Sequence, residues 1–73
     1  MQVISRTRSH DGFVSIVLSA PGRGQAHLRV RARGSSLEVA SAEAVGGHDA
    51  SMDAMLVSEA LAELRARRGI IGA

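Results

Sequence analysis

Along the first half of the chain, apolar and polar residues alternate with a period of two; near its end, the apolar spacing becomes helical. Over residues 25–33, Ala26, Leu28, Val30 and Ala32 alternate with His27, Arg29, Arg31 and Arg33, the pattern of a strand with one apolar and one polar face. Residues 13–20 set Val14, Ile16 and Leu18 on one side and Phe13 and Val17 on the other. A strand apolar on both sides belongs inside a sheet. Residues 2–8 predict a further strand, with Val3, Ser5 and Thr7 on one face and Ile4, Arg6 and Arg8 on the other.

Turn residues separate these stretches. Asp11 and Gly12 close the first hairpin, because glycine accepts a positive φ at little cost. Pro21, Gly22, Arg23 and Gly24 form the second turn. With a loop of residues 22–24, Leu18 faces Leu28, Ile16 faces Val30 and Val14 faces Ala32, so apolar side chains meet on one face. The same register sets Arg29 beside Val17 and Arg33 beside Phe13. Gly34 and Ser35 suit a two-residue type II′ hairpin, which pairs Arg33 with Ser36, Ala32 with Leu37, Arg31 with Glu38 and Val30 with Val39. The opposed charges of Arg31 and Glu38 support that register. The fourth strand is expected to fade near Ala42, before the loop at Gly46 and Gly47.

Ser51 is the expected N-cap of a helix over residues 52–68, with Asp53 in its first turn. Met52, Leu56, Val57, Ala60, Leu61 and Leu64 form its apolar stripe, opposite Ser58, Glu59, Glu63, Arg65 and Arg67. Arg65, Arg67 and Arg68 suit the negative end of the helix dipole, and Gly69 suits a left-handed C′ position. Ile70 and Ile71 are expected to fold back on Leu64 or to reach a partner. The fold class is therefore α+β: a four-stranded antiparallel β-meander with one C-terminal amphipathic helix packed on one face, in a single domain over residues 1–73. Its expected core is Val3, Val14, Ile16, Leu18, Leu28, Val30, Leu37 and Val39 under Leu56, Val57, Leu61 and Leu64.

Composition sharpens this picture. Seventy-three residues bury little surface, and there is no cysteine to staple the fold. Association with a second copy would add burial, so a homodimer is expected. The formal charge is only +2 but is unevenly spread. Residues 1–33 hold six arginines against Asp11, a formal +5. Residues 34–73 hold three arginines against six carboxylates, a formal −3. All nine basic residues are arginine, which a GC-rich coding sequence also produces without any binding role. Arg6 and Arg8 ahead of residues 13–20 mimic a secretory signal only faintly, because Asp11 and Gly12 interrupt them; the expected location is cytoplasmic. No stretch approaches the roughly 20 apolar residues of a membrane span.

Candidate chemistry is sparse. His10–Asp11 and His48–Asp49 are adjacent pairs with His27 as a third imidazole, but neighbours on a chain point apart, and solvated turn residues are the better account. No metal or cofactor is expected. There is no phosphate-binding loop, and four strands with one helix leave little room for a water-excluding pocket, so neither an enzyme nor a small-molecule substrate is expected. Arg6, Arg8, His27, Arg29, Arg31 and Arg33 on the face away from the helix are the candidate site for an anionic partner, a nucleic-acid backbone or an acidic protein surface. Phe13 is the only aromatic residue, which argues against a base-stacking platform. Ile4, Phe13 and Val17, extended by Ala40 and Ala42, supply the apolar part of a protein interface on the same face. In its order of elements the chain is similar, at the level of fold alone, to small phage and plasmid inhibitor proteins, some anti-CRISPR proteins among them. That likeness implies an alternative function: blocking a host nucleic-acid-handling complex by protein–protein binding.

Overall fold

A computed structural model describes residues 1–46 and 49–71. Strands β1 (Gln2–Arg8), β2 (Val14–Ala20), β3 (Gly24–Arg33) and β4 (Ser36–Val45) precede helix α1 (Ala50–Ala66) and a short 3₁₀ turn (Arg68–Ile70). The strands form one antiparallel sheet in the order β1-β2-β3-β4, and α1 lies across β4 and β3. This is the β-β-β-β-α arrangement that the hydrophobic periodicity predicts. Gly47 and His48 lie outside the described residues, and with His48 the expectation for the His48–Asp49 pair.

Burial alternates along β2 as a period of two demands: Val14, Ile16, Leu18 and Ala20 are buried, and the residues between them are half-exposed. Ala26, Leu28 and Val30 continue this covered face on β3, under Leu56, Ala60 and Leu64 of α1 and Ile71 beyond it. Each fully buried leucine or isoleucine contributes about 1.5–3 kcal/mol relative to an exposed one. Ile71 therefore folds back onto the core, completing a lid that α1 alone does not provide. Val39 is 37% exposed and Val57 is only half-buried, so the expected core is too wide at these two positions, and Met52, expected in the helix's apolar stripe, is 42% exposed. The places are taken by Ala20, Ala26 and Ala60, small side chains that let helix and sheet approach closely.

Three local features differ from expectation. The β2–β3 pairing is Val14 with Val30, Ile16 with Leu28 and Leu18 with Ala26, two residues away from the expected register. The cause is the turn. Arg23 donates its N–H to the Ala20 carbonyl at 3.0 Å, Pro21 takes the second position, and Gly22 has φ +74 in the third, the requirements of a type II turn. Gly24 then joins β3 opposite Ala20 instead of forming part of the loop. A Cβ at Gly24 would lie 2.5 Å from the Val45 carbonyl oxygen, so the close approach of β4 reserves this position for glycine.

Helix α1 starts two residues early. Its N-cap is Asp49, whose carboxylate accepts the Met52 N–H at 2.8 Å, and Ser51 is inside the first turn. At the other end Gly69 lies within the 3₁₀ turn and has no positive φ, so it is not a left-handed C′ residue. The β3–β4 hairpin follows expectation: Gly34 has φ +61, and the pairs Arg33–Ser36, Ala32–Leu37, Arg31–Glu38 and Val30–Val39 all form.

The third difference is a pair of bulges. In β1 the register shifts between Val3 and Ser5, and in β4 Ala40 is the extra residue between Val39 and Ser41. A bulge moves every later side chain to the opposite face. Thus Arg6 pairs with Ile16 and Arg8 with Val14, on the covered face, while Ser5 and Thr7 turn to the open one. In β4 the bulge brings Ala42 and Ala44 against the core, so Ala42 is not part of an open apolar surface, and the strand continues to Val45 instead of fading.

Candidate anion-binding surface

The open face of the sheet is assembled in rows across the strands. Thr7, Ser15, Arg29 and Ser41 form one row, and Ser5, Val17, His27 and Glu43 form the next. Of the expected anion-binding residues, His27, Arg29, Arg31 and Arg33 share this face, whereas Arg6 and Arg8 do not. The β1 bulge has turned them over the edge of the core, where Arg6 donates to the Ile71 carbonyl at 3.3 Å.

The three open-face guanidinium groups are already occupied. Arg29 is paired with the Asp11 carboxylate. Arg31 donates to Glu38 at 2.8 Å and to the Asp11 backbone carbonyl at 3.4 Å, and Arg33 donates to the same Glu38 oxygen at 3.0 Å. Asp11 is fixed by its own turn, since its carboxylate accepts the Phe13 N–H at 3.0 Å. That hydrogen bond, with Arg29 beside it, holds the Asp11 carboxyl below the usual carboxylate range. Hydrogen bonds from Arg31, then Arg33, do the same for Glu38. With Glu43 opposite His27, the face carries three arginines and three carboxylates, and its formal charge is zero.

The expected apolar centre is not continuous either. Arg29 and Arg31 stack over the Phe13 ring, their Cζ atoms 4.9 and 4.5 Å from its centroid. Ile4 projects from the bulge on the sheet edge, 49% exposed, and Val17 is half-buried among serines and His27. An open depression of about 180 Å³ lies along Ser15, Val17, His27, Arg29, Ser41 and Glu43, smaller than the ~300 Å³ at which ligand pockets begin. His27 contacts Gln25 Oε1 at 3.2 Å. Among the described residues no three histidine or carboxylate side chains converge on a metal-binding point, and no helix is long and apolar enough to cross a membrane.

The excess positive charge lies elsewhere. One end of the molecule is formed by the Asp11 loop, the β3–β4 turn and the last turn of α1. Arg6, Arg8, Arg29, Arg31, Arg33, Arg65, Arg67 and Arg68 stand at or reach toward this end, against Asp11, Glu38 and Glu63. The opposite end has Arg23 against Glu43, Asp49, Asp53 and Glu59. Eight against three is +5 and one against four is −3, matching the chain's +2. The split has the same size as that between the two parts of the sequence, but it runs between the ends of the fold.

At the positive end Arg67 is paired with Glu63 at 3.0 Å. Arg68 donates to the carbonyls of Gly34, Ser35 and Ser36, at 2.8, 3.2 and 3.3 Å, and so ties the helix end to the β3–β4 turn. Among the described residues, Arg6, Arg8, Arg65 and Arg68 have no carboxylate partner. The sequence contained a partial signal for this group, because Arg65 and Arg68 suit the helix terminus; the bulge that adds Arg6 and Arg8 had none. Comparison of the chain with protein-family models, with curated proteins and with solved structures gave no match.

Proposed function

We propose that this chain is a non-enzymatic binding protein that takes the phosphate backbone of a nucleic-acid duplex at its arginine-rich end. The observation that carries this reading is the distribution of guanidinium groups: among the described residues, those on the open sheet face are paired with Asp11 and Glu38, and Arg6, Arg8, Arg65 and Arg68 have no carboxylate partner. A guanidinium presents a planar fork of donors that fits phosphate oxygens and keeps its charge at all relevant pH values. With Phe13 as the sole aromatic, covered by Arg29 and Arg31, base stacking contributes nothing and sequence selectivity is weak. A cytoplasmic location goes with this reading.

Binding to a mixed duplex DNA pool across a salt series tests it. Arg6→Ala with Arg8→Ala weakens binding, and it lowers the slope of log affinity against log salt by about 2, near 0.9 for each phosphate that is no longer neutralised. Arg29→Ala with Arg31→Ala leaves that slope nearly unchanged. Absence of binding by the parent protein at low salt, or the reverse order of the two variants, overturns the proposal.

A further inference from the structure

The two edges of the sheet are not equally protected. Edge strands expose unpaired N–H and C=O groups, and bulges and inward-pointing charges are the usual guards against pairing with another chain. β1 has both, a bulge at Ile4 and the arginines Arg6 and Arg8 turned over the covered face. β4 has a bulge at Ala40, but on its covered face it carries only Leu37, Val39, Ala42 and Ala44. It is ten residues long, contains no lysine, arginine or proline, and leaves Val39 37% and Val45 49% exposed.

We infer that a second copy of this chain adds to the free edge of β4, antiparallel and related by a two-fold axis, giving one continuous eight-stranded sheet with both helices on the same side. Charge selects a copy over a foreign strand. Antiparallel pairing of β4 with itself reverses one molecule relative to the other. The end that carries a formal +5 then lies beside the end of the second copy that carries −3, and the same contact occurs twice. The register that opposes Val39 to Ala42 of the second copy also opposes Leu37 to its Ala44, apolar against apolar. It sets Glu38 near Glu43 of the second copy, where Arg31 and Arg33, both held on Glu38, at 2.8 and 3.0 Å, supply the two positive charges that balance the pair. β1 is left at the outer rim of the doubled sheet, so Arg6 and Arg8 keep their access to an anion.

Light scattering on the intact chain, from micromolar to millimolar concentration, is expected to give twice the monomer mass of 7.6 kDa. Val39→Lys with Val45→Lys places two charges of one sign on each edge and raises the dimer dissociation constant about tenfold or more. Because the chain has no cysteine, Ser41→Cys on β4 and Thr7→Cys on β1 each introduce a single thiol. A short bis-maleimide is expected to join Ser41→Cys chains in pairs and to leave Thr7→Cys chains single. On the parent protein, amide exchange in β4 slows as concentration rises, a readout that no variant's folding affects. A monomer over the whole range, or a dimer that cross-links through position 7 and not 41, overturns the inference. Nucleic-acid binding is measured separately, so either proposal can fail while the other stands.

Discussion

On β2, Val14, Ile16 and Leu18 are at most 1% exposed, while Ser15, Val17 and Ser19, one residue along, are half-buried on the sheet's open face. The same strand thus lies between two environments that are stabilised by different means. The covered face depends on burial and close packing, which the removal of one methylene group disturbs. The open face depends on hydroxyls, a stacked phenylalanine and ion pairs in contact with water, which contribute little and are readily exchanged. Side chains can therefore be exchanged on one side of the strand without loss of the fold, and not on the other. The guanidinium groups of the open face are paired in place, whereas among the described residues Arg6, Arg8, Arg65 and Arg68 have no carboxylate partner.

The largest effect should separate two adjacent residues. Ile16→Ala leaves a cavity under α1 and is expected to cost about 2–5 kcal/mol, whereas Val17→Ala on the open face should cost under about 1 kcal/mol. Denaturant unfolding of both variants checks this, and equal losses would mean that the open face is covered in solution. An intermediate effect is expected at the helix end. Arg68→Ala removes the donors to the Gly34, Ser35 and Ser36 carbonyls, for about 1 kcal/mol, and amide exchange in the β3–β4 turn should rise with it.

The smallest effect concerns acid. Asp11 and Glu38 both have carboxyls held below their ordinary range, so their contribution to stability is complete above that range and is lost as pH falls through their lowered folded values. Asp11→Asn retains an oxygen for the Phe13 N–H but removes the charge facing Arg29. Its stability should therefore fall less steeply below about pH 4 than that of the parent, as measured by thermal unfolding across a pH series. A parallel acid limb would show that the Arg29–Asp11 pair contributes nothing on the open face.

Most of the architecture was legible because it rests on periodicity and turn chemistry. Alternating Val14, Ile16 and Leu18, the Asp11–Gly12 and Gly34–Ser35 turns, and the opposed Arg31 and Glu38 all occupy the expected elements. The bulges were not legible, since Ile4 and Ala40 are ordinary strand residues and the extra backbone unit leaves no mark in composition. That omission put Arg6 and Arg8 on the wrong face of the sheet. Asp11 is legible in the sequence only as a turn residue, because nothing local shows that a turn carboxylate meets an arginine eighteen positions away. The N-cap was ambiguous by nature: Asp49 and Ser51 are both good caps, and it is the Asp49 carboxylate that takes the Met52 N–H.

The Arg6 hydrogen bond to Ile71 also has a meaning in time. Every strand pairs only with its neighbour in sequence, so the sheet can grow hairpin by hairpin with short loops to close, a topology that folds quickly. The bond between Arg6 and Ile71 spans 65 positions and cannot form until the sheet and α1 are both in place. It belongs to the native side of the folding barrier, where its removal would quicken unfolding and scarcely touch the rate of folding.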